Sequence, residues 1–323
     1  MTATPTNARP TTDRVPDALP GNWVDRLAPE AAKPYLRLAR FDRPIGAWLL
    51  LFPAWWGQAL AEHSLGRPYP NLWYLVLFLI GAFVMRGAGC TYNDILDRDY
   101  DARVARTAAR PIPSGQVSVS QAFAFLAALC LVGLLILLQF NLFTIVLGAA
   151  SLALIAIYPF AKRFTFWPQL VLGLTFKWGA LVGWAAVAGS LSLEALLLYA
   201  GSVLWTVGYD TIYAHQDKED DALLGLKSTA LRFGDATPRW LAALYAGAVL
   251  LWGAAGLLAG ARIVFVLTLV LAAAQLAWQV ATLDIRDAGN CLARFKSNRL
   301  VGWLLFLGLA ADMALTALLF FDL

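Results

Sequence analysis

The chain has 323 residues, 60% hydrophobic and only 14% charged, with a mean hydropathy of +0.63. Soluble domains carry about 25% charged residues, so a soluble globular enzyme is excluded, and the apolar excess excludes a disordered chain. The net charge of +4 and pI ≈ 9.0 fit basic loops on one side of a membrane, not a nucleic-acid partner.

Residues 1–20, rich in Pro and Thr, predict a mobile tail. The tail has no apolar h-region, and Asp13 and Asp17 are unlike a mitochondrial transit peptide, which is poor in acids. Residues 21–44 predict an amphipathic helix lying on the membrane surface. Residues 45–323 predict an all-α, polytopic transmembrane domain. Its apolar segments are 45–62, 71–92, 121–139, 142–159, 168–188, 195–210, 240–261, 263–283 and 300–321. A span takes roughly 20 residues and some segments are short, so eight or nine spans are expected. Cys90, Cys130 and Cys291 form no CxxC and read as small buried residues. With only His63 and His215, a zinc site or bis-histidine haem relay is disfavoured.

With the N-terminus on the inner side, 21 of the 25 Lys and Arg fall in inner segments. The outer loops hold only Arg67 and Arg262, while Arg86 and Lys177 lie within spans. That asymmetry is the positive-inside signature. It predicts a bacterial inner membrane, in the absence of a visible transit peptide, with the active site facing the cytoplasm.

Nine of the 21 acids occupy two windows, at the inner ends of the second and sixth segments. Asn93, Asp97 and Asp101 sit at i, i+4, i+8, as do Tyr213, Asp217 and Asp221. On helices each set forms one stripe. The two are offset by 120 residues and four spans, which suggests parallel four-helix repeats whose stripes face each other across a cavity. Stacked carboxylates repel, and helix C-termini disfavour anions. A divalent cation removes both costs, and oxygen-only ligands suit Mg²⁺, Mn²⁺ or Ca²⁺. Mg²⁺ takes one or two carboxylates and completes its shell with water and substrate phosphate. The stripes therefore suit a diphosphate held through Mg²⁺. Asp94, Asp99, Glu219 and Asp220 are spare acids, as easily surface as ligand. Arg110, Lys162, Arg163 and Lys227 follow the acids and suit phosphate oxygens, or else only set topology.

At these residues the chain resembles the UbiA family of intramembrane aromatic prenyltransferases. NDILDRDYD (93–101) matches the family's NDxxDxxxD, and YAHQDKEDD (213–221) resembles its YxxxDxxxD. RFDRPIGAWLLLFPAWWG, RVARTAARPIPSG and YPFAKRFTFWPQLVLG follow the wording of the subgroup that acts on 4-hydroxybenzoate. The resemblance covers roughly residues 35–321. It implies about nine helices around a central cavity open to the lipid bilayer. It also implies Mg²⁺-dependent transfer of a polyprenyl group from polyprenyl diphosphate to the ring carbon ortho to the hydroxyl of 4-hydroxybenzoate, in ubiquinone biosynthesis.

The roles it implies are specific. Asn93, Asp97 and Asp101 hold one Mg²⁺–diphosphate contact, with Asp217, Asp221 and Tyr213 at the second. Asp210, two helical turns before Asp217, faces the phenol or acts as base. Arg43 pairs with the benzoate carboxylate or anchors the topology. Arg86, seven residues before Asn93, lines the cavity, since a charge within a span is a functional candidate. Lys177 and Asp312 are further intramembrane charges outside the family's motifs, and neither is assigned a role: Lys177 could line the cavity or snorkel, and Asp312 could pair internally.

Two other readings stay open. One is a prenyltransferase of this type with a homogentisate, dihydroxynaphthoate, chlorophyllide or haem acceptor. The other is a secondary transporter using the acids for cations or protons.

Overall fold

In hydrocarbon, backbone N–H and C=O groups must find partners within their own segment, so long apolar runs become helices. The computed structural model describes residues 21–103, 107–223 and 225–320. The expected tail at 1–20 lies outside the described residues. All regular elements among the described residues are helical.

Eight described helices are long and apolar enough to cross a membrane: Leu72–Leu96, Val119–Leu137, Leu142–Phe164, Pro168–Ala188, Leu193–Asp217, Thr229–Leu258, Ile263–Ala281 and Ala288–Leu319. A further helix, Ile45–Ser64, has 20 residues, enough for about 30 Å at 1.5 Å per residue. Gln58, Glu62 and His63 lower its hydropathy, yet all three are buried. All nine expected segments are therefore helical.

The last helix begins at Ala288, twelve residues earlier than the apolar segment. Arg294, Lys296 and Arg299 ended the apolar run without ending the helix. Residues 21–44 form two short helices, Trp23–Leu27 and Lys33–Leu38, where one was expected. Pro29 stands between them and cannot continue a helix. Pro34 lies in the first turn of the second helix, where its missing N–H costs nothing.

The chain divides into two compact units. One comprises Met1–Pro44 and Val84–Val132. Its core packs Leu38, Ile95, Ile112, Val117 and Ala122 together, which seats the PIPS loop against the end of the second span.

The other unit comprises Ile45–Phe83 and Gly133–Leu323. Its centre is a cluster of Trp56, Trp205 and Trp252, with ring centroids 5.4–5.6 Å apart. Each indole N–H is satisfied, by Gly302 O, Asn298 Oδ1 and Ser202 Oγ respectively. The first and fifth spans approach so closely that a Cβ on Gly57 would meet Ala180 O at 2.1 Å, and one on Gly183 would meet Ala54 O at 2.1 Å. Gly179 and Gly183 form the small-xxx-small spacing that permits such contact in membranes.

The third and fourth spans are only 11% buried, as expected of helices facing lipid. Leu134, Leu135, Val146 and Leu152 are exposed there. Cys130 is exposed on the same face, against the expectation of burial, while Cys90 and Cys291 are buried. When the outer solvent is hydrocarbon, a small apolar residue loses nothing by facing it.

Candidate active site

The first acidic motif is not one continuous helix. The second span ends at Leu96, and Asp97 is the junction to a short helix, Arg98–Asp101. The hydrogen bonds Asp97 N–Asn93 O (2.9 Å) and Asp101 N–Asp97 O (2.8 Å) keep the four-residue register across the junction. Asn93 and Asp97 are half-buried and Asp101 is buried. The second motif breaks likewise: a helix to Ala214, a 3-10 turn His215–Asp217, then the helix Lys218–Leu223. Asp210 and Asp217 are half-buried and Asp221 is buried. The single helical stripes expected are thus corrected to bent ones, each with its middle acid at the bend. Gly225, at φ +68°, closes the last turn, with Leu226 N donating to Asp221 O at 2.8 Å.

Arginines organise the first motif. Asp94, fully buried, accepts from Arg40 Nη2 at 2.7 and 2.8 Å and from Arg110 Nη1 at 3.2 Å. The same Arg110 nitrogen lies 2.7 Å from Asp101 Oδ2. Asp94, read from sequence as a spare acid, is therefore the buried hub of the motif. Arg110, expected on phosphate, is instead engaged with two motif carboxylates. Burial pushes the Asp101 carboxyl above its ordinary value; Arg110 opposes the rise, and Asp94 and Asp97 add to it.

Arg40 was not singled out from sequence. It is the one non-glycine residue with positive φ (62°) among the described residues, a conformation that costs roughly 1–2 kcal/mol. The grip of Asp94 and the hydrogen bond from Arg40 Nη1 to Arg37 O (3.0 Å) hold it there. No glycine marks this turn, so the sequence carries no signal for it. Arg43 lies 3.7 Å from Asp42, and Arg86 is half-buried in the second span.

In the second unit, Lys162 Nζ is 3.5 Å from both oxygens of Asp221. Lys227 donates its backbone N–H to Lys162 O (2.9 Å) and its Nζ to Phe164 O (3.3 Å). The loop joining the fourth and fifth spans is thus pinned beside the second motif. Arg163 is exposed and lies over the Phe160 ring. Tyr213 packs on Phe295, ring centroids 4.7 Å apart.

The two remaining intramembrane charges have defined partners. Lys177 is fully buried and donates to Leu49 O at 2.6 Å, so it does not snorkel. Asp312, 1% exposed, accepts from His63 Nε2 (2.9 Å) and from the backbone N–H groups of Arg262, Val264 and Phe265 (2.7, 3.0 and 3.2 Å). It caps the N-terminus of the helix Ile263–Ala281 from another span, as an internal pair.

These donors fit Mg²⁺. Each motif offers carboxylate oxygens, joined by an amide oxygen in the first. Among the described residues no group of three or more His, Cys, Asp or Glu forms a cage of its own. Mg²⁺ does not need one, because it keeps waters and takes phosphate oxygens.

The UbiA prenyltransferase family matches residues 50–315. Among curated proteins, the chain is 51% identical over 277 residues to the mitochondrial 4-hydroxybenzoate polyprenyltransferase of Aedes aegypti, covering 85% of this chain and 62% of that protein. It is 50% identical over 287 residues to the Rattus norvegicus protein of the same name, covering 88% and 76%. Among solved structures, a UbiA homolog from Aeropyrum pernix K1 superposes with a TM-score of 0.69 at 28% identity, covering 82% and 98%. A homolog from Archaeoglobus fulgidus bound to GPP and Mg²⁺ shares the fold, with a TM-score of 0.62 at 20% identity, covering 87% and 99%.

The chain belongs to the UbiA prenyltransferase family, and its all-helical membrane fold is that of the family. Relatives about 50% identical to it are named 4-hydroxybenzoate polyprenyltransferases, which bears out the enzyme class and subgroup read from its motifs. The expected bacterial inner membrane is overturned, because these relatives are mitochondrial. That expectation rested on two acids in residues 1–20, and such a short stretch does not determine which membrane the helices enter.

Proposed function

We propose that this chain transfers a polyprenyl group from polyprenyl diphosphate to the ring carbon ortho to the hydroxyl of 4-hydroxybenzoate, with Mg²⁺ as cofactor, in ubiquinone biosynthesis. The observation that carries this reading is identity of 47–51% to proteins of that one activity, along 85% or more of the chain.

Asn93, Asp97 and Asp101 in one motif, and Asp217 and Asp221 in the other, would hold Mg²⁺ and through it the diphosphate. Bound Mg²⁺ neutralises charge on the leaving diphosphate. Lys162 and Lys227 add fixed positive charge beside the second motif, and Arg110 does so beside the first, where charge develops as the C–O bond breaks. Arg163 is a further diphosphate contact, and Arg86 lines the cavity. The apolar spans bury the polyprenyl tail, at about 0.8 kcal/mol per CH₂, and keep water from the allylic cation. The ring carbon attacks that cation, and the ring proton leaves to a base, for which Asp210 is the nearest candidate in sequence to the second motif. Arg43 receives the benzoate carboxylate.

Membranes containing the chain, incubated with labelled 4-hydroxybenzoate, a polyprenyl diphosphate and Mg²⁺, should form a lipid-extractable product. Absence of product, or product undiminished by EDTA, refutes the reading. Product from homogentisate or dihydroxynaphthoate but not from 4-hydroxybenzoate would reassign the acceptor.

A further inference from the structure

The fifth span is interrupted at its middle. Pro168–Phe176 and Trp178–Ala188 are separate helices, and Lys177 is the residue between them, at φ −93° and ψ 0°. A fully buried lysine amine is costly in a span and calls for a hydrogen-bond partner.

Its hydrogen-bond partner is Leu49 O, 128 residues away in the first span. Leu49 lies four residues before Pro53, and Pro53 is inside the helix Ile45–Ser64. In a regular turn the Leu49 carbonyl would accept from the amide of residue 53, and proline has none. Lys177 Nζ therefore occupies the place of the missing amide, at 2.6 Å. The close approach at Gly57 and Gly183 brings the two spans near enough for a side chain to reach that carbonyl.

The rest of the Nζ surroundings leads toward the second motif. Nζ lies 4.6 Å from the centroid of Trp205 and 5.2 Å from that of Tyr209, both on the helix Leu193–Ala214. Asp210 is the next residue along that helix.

We propose that Lys177 is a positioning residue for prenyl transfer: it replaces the amide that Pro53 lacks, and its Nζ packs against the rings of Trp205 and Tyr209, which lead to Asp210 at the head of the second motif. The donor fixes the first span against the fifth. The contact with the Tyr209 ring fixes the helix turn that carries Asp210. This deepens the prenyltransferase reading and rests on it.

Two variants supply a donor without a charge, by independent routes. Lys177→Gln places a neutral N–H near Leu49 O. Lys177→Met combined with Pro53→Ala restores the backbone amide itself. Thermal unfolding in detergent and steady-state prenyl transfer would be measured for both, for Lys177→Met alone and for the unaltered chain.

Lys177→Met alone should unfold at a lower temperature, and Pro53→Ala in that background should recover most of the loss. Both donor-restored variants should keep kcat depressed by about tenfold or more, with KM for polyprenyl diphosphate little changed, because the lysine's contact with the Tyr209 ring, next to the candidate base, is gone. Full kcat in either variant would reduce Lys177 to a structural donor and overturn the positioning role. Failure of Pro53→Ala to recover stability would overturn the pairing with the proline gap. Inactivity of the unaltered chain would instead sink the prenyltransferase reading, while the unfolding measurements would still decide the pairing.

Discussion

Arg40 donates through one nitrogen to both oxygens of Asp94, at 2.7 and 2.8 Å, across 54 residues of chain. Asp94 is buried, Arg40 is half-buried, and Arg110 joins them. The second residue of the NDILDRDYD motif is thereby committed to holding the motif's shape, apart from the proposed ligands Asn93, Asp97 and Asp101.

Removing Asp94 should cost more than removing its charge from water would suggest. Asp94→Ala leaves two half-buried guanidinium groups without their buried carboxylate, and breaking a buried pair costs about 3–5 kcal/mol. Thermal unfolding in detergent should show a large drop. Replacing Arg40 and Asp94 together by Met and Leu should restore much of it.

Metal dependence should be sensitive to pH. Asp101 binds its proton more tightly than an ordinary carboxyl because it is buried, and it must lose that proton to ligate. Mg²⁺ or Mn²⁺ affinity should therefore fall as pH drops through the range above the usual aspartate value. Asp101→Asn should abolish the pH step. Mn²⁺ binding followed by electron paramagnetic resonance reads this without turnover.

Loss of either middle acid should stop the reaction. Asp97→Ala and Asp217→Ala each remove a ligand at a bend, and a fall in kcat/KM of about a hundredfold or more is expected where transition-state charge is no longer neutralised. Circular dichroism should show unchanged helix content.

At the opposite ends of the spans the expectation reverses. Asp312→Ala strips a cap from three amides and a partner from His63, costing roughly 2–3 kcal/mol of stability. Below its unfolding temperature the variant should still prenylate, since Asp312 holds a helix end and touches neither motif. Loss of activity with unchanged stability would contradict this.

Gly183→Leu should be more damaging than a substitution on a lipid-facing helix. Even a Cβ there meets Ala54 O at 2.1 Å, so the first and fifth spans would be forced apart, at about 1–3 kcal/mol or more. Leu152→Ala, on an exposed face, is the control and should be nearly silent.

Much of this architecture is written in local patterns. Apolar length marked every span, and the i, i+4, i+8 acids marked both motifs because a periodic spacing survives small bends. The bends themselves were not legible: neither Asp97 nor residues 215–217 carry a Pro or Gly to announce them. Arg40 hid for the same reason, being an arginine in a backbone conformation normally left to glycine. Asp94 looked interchangeable with Asp99 because both are acids in one window; their exposure, 0% for Asp94 against 74% for the Asp99 side chain, depends on which face turns toward Arg40 and Arg110. The roles of Lys177 and Asp312 depend on partners 128 and 249 residues away, and no local reading supplies those.

The proline gap in the first span also bears on how the chain enters a bilayer. A lysine at the centre of a span opposes insertion by about 2.5–3.5 kcal/mol when the segment is alone. The carbonyl that accepts it belongs to the first span, which the ribosome completes more than a hundred residues earlier. The fifth span thus has its binding site waiting in the membrane before it is made, and order of synthesis becomes part of its stability. A fifth span expressed without the first should insert poorly; with it, the lysine has somewhere to go.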